Sequence, residues 1–233
     1  MTSKIIIVTG ASRGIGEAIA RKLDKNENVL VLFGRDESKL QLVADSLNCT
    51  THIFAGDVAN EEFVNNSVKS IIDKYEKVDV LINNAGVAIF KKFVDSSLEE
   101  FKLQMDTNMF GVYNFTKAVI HNMLANKSGI IINISSLAGK NGFVYGTMYA
   151  ATKHALMGFT RSLMLEVRES NIRVAAVCPG SVATDMIISS PVQPSNISKV
   201  LAPGDIAEVV DHIIDLPPRA NISELEIRPS NPN

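Results

Sequence analysis

The chain of 233 residues has no tryptophan, two cysteines, few aromatic residues and no long apolar run. Cys49 and Cys178 are far apart and show no metal or redox spacing, which excludes a disulfide framework and a thiolate metal cluster. His52, His121, His154 and His212 are scattered without ligand spacing, so no metal site is expected. Charge of one sign is also missing. Lys and Arg number 23 against 25 Asp and Glu, a net charge of -2, which offers no broad cationic surface to nucleic acid or anionic lipid. The expected partner is a small molecule. Ile5-Ile6-Ile7-Val8, directly after Lys4, is too short for a signal-peptide core, and no run approaches membrane-spanning length; we expect a cytoplasmic location with no membrane contact. The length suits one sizeable core, hence one domain over residues 1–233.

What the sequence does contain is alternation. Short β-branched runs at 4–9, 28–33, 51–55, 78–82, 129–134, 172–177 and 224–227 are mostly apolar at consecutive positions, as strands covered on both faces require. Amphipathic segments separate them. The clearest joins Leu98, Phe101, Met105, Met109, Val112, Phe115, Val119 and Met123 in steps of three and four, one continuous helical stripe. This order predicts an α/β fold, a doubly wound parallel sheet of about seven strands with helices on both faces. Residues 187–203, rich in Ser and Pro, read as a surface loop, and 229–233 as a proline-bearing tail.

Two local patterns carry chemistry. Thr9-Gly10-Ala11-Ser12-Arg13-Gly14-Ile15-Gly16 follows the first strand and opens a helix. Such a turn presents free backbone N–H groups and the positive end of a helix dipole to an anion, and pyrophosphate suits it. The spacing is Gly-x-x-x-Gly-x-Gly rather than the general Gly-x-Gly-x-x-Gly, so a turn packed tightly for structural reasons is the competing reading. Tyr149 and Lys153 are one helical turn apart, so phenol and ammonium leave the same face; many solvent-facing helices carry such a pair by chance.

In order and approximate spacing, these motifs resemble the short-chain dehydrogenase/reductase family in its single-domain form. The resemblance spans the chain: the glycine loop, Asp57-Val58 after the third strand, Asn83-Asn84-Ala85-Gly86 after the fourth, Asn108 in the long helix, Ser136, the Tyr149/Lys153 pair, and Pro179-Gly180 after the sixth strand. It implies Tyr149 as acid/base, Lys153 as its tuner and a grip on the cofactor ribose, Ser136 as the hydroxyl holding the carbonyl, and Asn108 in a proton relay. It implies Asp57 and Val58 at the adenine, Asn84 near the adenosine ribose, and Val182 and Thr184, beyond Pro179 and Gly180, at the nicotinamide end. Each residue also has a local reading: Asp57 could cap a turn, Ser135-Ser136 could be an ordinary turn, and Asn108 could be a polar residue in a packed helix. Ser136 is chosen over Ser135 because thirteen residues separate it from Tyr149, as in the family. The chemistry agrees with these roles. A ketone receiving hydride develops negative charge on oxygen, and a placed hydroxyl must stabilise it and deliver a proton. A neighbouring cation should lower the tyrosine pKa.

The second strand ends Phe33-Gly34-Arg35, with glycine where an NAD site places its carboxylate. Arg35 and Arg13 are expected to close on a 2′-phosphate, which makes NADP (NADPH) the expected cofactor. Asp36 is the competing carboxylate; we read it as the start of the next helix, continued by Glu37-Ser38-Lys39-Leu40. Substrate choice should lie with residues 137–148 and 187–203. The first segment is mostly apolar, with Leu137, Phe143, Val144, Tyr145 and Met148, and its Lys140 reads as a solvated loop lysine. The leading expectation is a carbonyl reductase, including ketoacyl thioesters. Oxidation of a hydroxy acid or sugar alcohol is the second, supported by the somewhat family-like tail Leu225-Glu226-Ile227-Arg228-Pro229, and a non-catalytic NADP sensor the third. The resemblance implies pairing through the two long helices, and the segments 98–123 and 149–167 carry enough apolar residues for it, so a homodimer or homotetramer is expected.

Overall fold

In the computed structural model, which describes residues 3–231, every one of the apolar runs is a strand. β1 (Ile5–Thr9), β2 (Val29–Gly34), β3 (Thr50–Ala55), β4 (Val80–Asn83), β5 (Gly129–Ile134), β6 (Ile172–Pro179) and β7 (Glu224–Ile227) form one sheet in the order β3-β2-β1-β4-β5-β6-β7. All six pairings are parallel. The last two residues of the proline-bearing tail, 232 and 233, lie outside the described residues.

Side-chain alternation along each strand explains the contiguous apolar pattern. Ile6, Val8, Leu30, Leu32, Ile82 and Ile132 face one layer, packed on Ile19, Ala20, Leu40, Ile206 and Val210. These belong to α1 (Gly14–Lys22), α2 (Glu37–Asp45) and α8 (Pro203–Asp215). Ile5, Ile7, Val31, Phe33, Leu81 and Ile131 face the opposite layer, against Val64, Val68, Phe115, Val119 and Met123. Those come from α3 (Glu61–Tyr75) and α5 (Gly111–Asn126), and α6 (Thr147–Val167) completes that layer through Val167. Both faces are covered, so neither can alternate apolar with polar. Phe33 stacks on Phe54 with centroids 5.1 Å apart and meets Phe115 edge-on at 4.7 Å; burial of such a ring is worth about 1.5–3 kcal/mol.

Helix starts follow their caps. Asp36 accepts from Lys39 N at 3.1 Å, as expected of a residue that opens α2. Asn60 does the same for α3, and Ser97 with Glu100 forms a reciprocal capping box ahead of α4 (Leu98–Met105).

The long helical stripe is interrupted. Between α4 and α5, Asp106–Phe110 forms a π-turn, and the wider turn rotates one half of the stripe relative to the other. Val112, Phe115, Val119 and Met123 are buried, while Leu98 is 60% exposed. Asn108 lies at the centre of this turn and is fully buried. The loop at 187–203 is largely irregular as expected, although it takes in the end of the short helix α7 (Asp185–Ile188) and a single helical turn at Ile197–Lys199.

A buried polar chain runs beneath the carboxyl ends of the central strands. Asn83 of β4 donates to Asn133 Oδ1 of β5 at 2.9 Å, and Asn133 donates to Thr160 Oγ1 of α6 at 2.8 Å. In an apolar layer such bonds fix register, because a slip leaves several polar groups unpaired.

Candidate active site

The strand order reverses between β1 and β4, which opens a crevice beyond the carboxyl ends of the sheet. A cleft of ≈ 850 Å³ occupies it, lined at one end by the glycine loop and at the other by Tyr149 and Lys153.

The glycine loop needs its glycines. Gly10 and Gly14 have φ of +66 and +58, in the left-handed region, and a Cβ on Gly16 would stand 2.2 Å from Gly10 O. Asn84 clamps the loop from β4 by donating to Thr9 O at 3.0 Å and Gly10 O at 3.2 Å. Thr9 Oγ1 in turn accepts from the N–H groups of Asn84 and Ala85, each at 3.0 Å. Arg13 caps α1 without a side-chain bond, so the helix presents its first N–H groups, from Gly14 and Ile15 onward, to the cleft.

Ser12, Gly34, Arg35, Asp36 and Lys39 line the nucleotide end. The Asp36 carboxylate is engaged with α2 through Lys39 N, and its other oxygen lies 3.6 Å from Lys39 Nζ. Arg13 differs from expectation. Its guanidinium pairs with Asp185 at 3.2 Å, across the cleft mouth, with both side chains exposed, rather than closing with Arg35 on one point. Lys39 is a cation the sequence reading missed; its position one turn after the Asp36 cap was the available signal. Asp57 and Val58 line the cleft as expected. Asp57 also caps its turn, accepting from Ala59 N at 2.9 Å, which is its local reading.

At the other end, Ser136, Tyr149, Lys153 and Asn108 come together. Tyr149 and Lys153 project from one face of α6, with Lys153 Nζ 5.8 Å from the Tyr149 ring centroid. Lys153 Nζ donates to Ile134 O at 2.9 Å. The Ser136 hydroxyl lies close enough to Tyr149 to lower the phenol's proton affinity and accepts from Ala138 N at 3.1 Å, whereas the Ser135 hydroxyl, which lines the cleft, is buried with no hydrogen-bond partner among the described residues. Asn108 accepts from Val87 N at 2.8 Å and donates to Val87 O at 2.8 Å and Thr152 Oγ1 at 3.0 Å. Its side chain is thereby committed to holding the β4 exit against α6. Gly86 leaves this space clear, since a Cβ there would stand 3.3 Å from Asn108 Oδ1.

The electrostatics depart from the expected tuning. Burial pushes the Tyr149 phenol up to about 12, against the hydrogen bond from Ser136, which lowers it. Burial likewise holds the Lys153 ammonium down to about 8. In the protein alone, then, desolvation outweighs any attraction between phenolate and ammonium, because both groups are removed from water.

Three expected site residues sit differently. Pro179 ends β6 and pairs with Ile227, and Gly180 N donates to Ile227 O at 2.8 Å, so both belong to the sheet edge rather than the cleft lining. Val182 is buried in the core beside Leu201. The cleft is lined there by Ala183, Thr184, Asp185, Met186 and Ile188, of which only Thr184 had been expected. Lys140 is not a solvated lysine. It pairs with Glu224 at 2.9 Å and Glu226 at 3.0 Å on β7, two carboxylates that the fold brings beside the loop after Ser136.

A parallel sheet with this reversal, a glycine loop at the crevice and a buried Tyr-Lys pair with Ser136 beside it define a nucleotide-binding oxidoreductase architecture. Residues 4–193 match the family described as short chain dehydrogenase, and the chain belongs to that family. It is 36% identical over 230 residues to an uncharacterized oxidoreductase of Staphylococcus aureus, covering 98% of both chains. Among solved structures it is similar to an alcohol dehydrogenase of the archaeon Thermococcus sibiricus complexed with 5-hydroxy-NADP, at 30% identity and a TM-score of 0.89, covering 98% of this chain and 97% of that one. The closed form of serine dehydrogenase complexed with NADP+ gives 30% identity and a TM-score of 0.90, covering 97% and 94%.

Proposed function

We propose that the protein is an NADPH-dependent carbonyl reductase, one domain over residues 1–233 that acts in the cytoplasm on a small-molecule ketone. The observation that carries this reading is the joining, in one cleft, of a glycine cradle at a helix N-terminus to the buried Tyr149 and Lys153 pair, with the half-buried Ser136 beside Tyr149. The cradle fits a dinucleotide. Gly10 and Gly16 let the loop pack where a Cβ would stand 2.8 Å from Ala85 Cα or 2.2 Å from Gly10 O, which keeps the helix N-terminus at the cleft, and Arg35, Lys39 and Ser12 form a donor set suited to a 2′-phosphate. NADP in the two similar structures supports the same assignment.

Bound NADPH supplies hydride. The chain supplies everything else: Tyr149 gives its phenolic proton to the carbonyl oxygen, Ser136 shares that oxygen, and the Lys153 ammonium stabilises the phenolate left behind. A phenol held at about 12 remains protonated at neutral pH and is the correct form to act as an acid. Asn108 acts through position, since its side-chain amide is engaged with Val87 and Thr152.

Likeness to a serine dehydrogenase favours a second reading, oxidation of a hydroxy acid. A second copy of the chain is the fitting cover for Phe93, Leu98, Phe110, Tyr113 and Leu165, large apolar side chains left exposed around α4, α5 and α6, as expected of a homo-oligomer. Catalytic efficiency with NADPH and with NADH tests the central assignment. We expect NADPH to be preferred by about tenfold to hundredfold, the worth of one or two charge-assisted bonds, and Gly34→Asp to reverse the preference. A wild type preferring NADH overturns the cofactor assignment.

A further inference from the structure

The segment after β4 brings an aromatic residue to the catalytic tyrosine. Phe90 meets the Tyr149 ring edge-on, centroids 5.5 Å apart, and meets Phe143 at 5.9 Å. Ala88 and Ala138 pack in the same small cluster, separate from both main cores. Phe143 is held in place by its backbone. Tyr145, two residues on, has φ of +69, unusual for a bulky side chain, and its carbonyl accepts from Lys91 N at 3.1 Å, which ties the two aromatic segments together. A Cβ on Gly146 would stand 2.3 Å from the Phe143 ring, so that glycine gives the ring room to lie flat against the chain. Phe143 is still 39% exposed, a large apolar face left open beside the site. Met186 and Ile188 line the cleft and are also partly open.

Three cations around these segments are paired with carboxylates. Lys140 bridges Glu224 and Glu226, Lys91 pairs with Glu100, and Arg13 pairs with Asp185. Lys92 is exposed. A substrate carboxylate or phosphate entering beside Phe90 would lose water while those three cations are paired and Lys92 lies at the exposed surface, outside the cleft lining. An aromatic ring would meet the open face of Phe143 and the edge of Phe90.

We propose that the substrate is an uncharged ketone carrying an aryl group next to the carbonyl, with Phe90 and Phe143 as the residues that select it. This rests on the reductase reading above and narrows it. The test uses the purified full chain with NADPH and three probes: acetophenone, 2-butanone and pyruvate. Wild type should reduce acetophenone with an efficiency at least about tenfold above either of the others, and Phe90→Leu or Phe143→Leu should each lower the acetophenone to butanone ratio by about two- to tenfold, the range of aromatic pair energies. Fluorescence titration of NADPH should give the same Kd in wild type and both variants. Phe143 is partly exposed, so its variant reports even if Phe90→Leu fails to fold. Preference for pyruvate, or an unchanged ratio in folded variants, overturns this inference and leaves the reductase reading standing. NADPH binding without reduction of any of a broad carbonyl panel overturns both.

Discussion

The two ends of the cleft recognise by opposite means. At the nucleotide end, Arg13 and Asp185 form an exposed ion pair, and Arg35 and Asp36 are exposed as well. Water screens these charges, so each contact is modest and adjustable. At the catalytic end Tyr149, Lys153 and Asn108 are buried, and burial has moved the proton affinities of phenol and amine in opposite directions, to about 12 and about 8. The lesson is that affinity can be tuned at the first end with little effect on chemistry, whereas a change at the second alters the reaction itself.

Substitutions should reveal this gradient. Tyr149→Phe removes the proton donor and keeps the ring that packs on Phe90; we expect a loss of about 10³-fold in kcat, with NADPH affinity and thermal unfolding close to wild type. Activity within a few-fold of wild type would mean that another group delivers the proton. Ser136→Ala should cost about 10²-fold in kcat by removing a donor to the developing oxyanion. Ser135→Ala should be mild, since the Ser135 hydroxyl has no partner to lose; the reverse order would exchange their roles. Arg35→Ala belongs to the open end. We expect NADPH affinity to weaken by about tenfold, more at low salt than at high, with kcat at saturating cofactor retained. A large fall in kcat would erase the distinction between the two ends.

Much of this was legible in the sequence. All seven strands were recognisable because burial on both faces leaves a contiguous apolar run, and Asp36 was recognisable as a cap because α2 follows it directly. The clustering of Tyr149 with Lys153 followed from helical spacing alone. What stayed hidden depends on contacts distant in the chain or on burial. The π-turn around Asn108 has no residue-type signature, Arg13 finds Asp185 across 172 residues, and Lys140 meets carboxylates of the last strand. Phe90 lies in a segment that carries no motif; its importance appears only when folding sets it against Tyr149. The raised phenol was invisible for the same reason, because desolvation is a property of the packed structure and opposed the effect expected from a neighbouring cation.

The pH dependence of ketone reduction examines the buried end most directly. Lys153 is lowered from 10.5 to about 8, so its ammonium is present below that pH and is lost as pH rises through it, while Tyr149 keeps its proton until about 12. The account predicts that kcat/KM is level near neutrality and falls through an alkaline limb centred near pH 8, and that Lys153→Arg, if active, moves the limb upward. A wild-type profile that stays flat to pH 10 would contradict it.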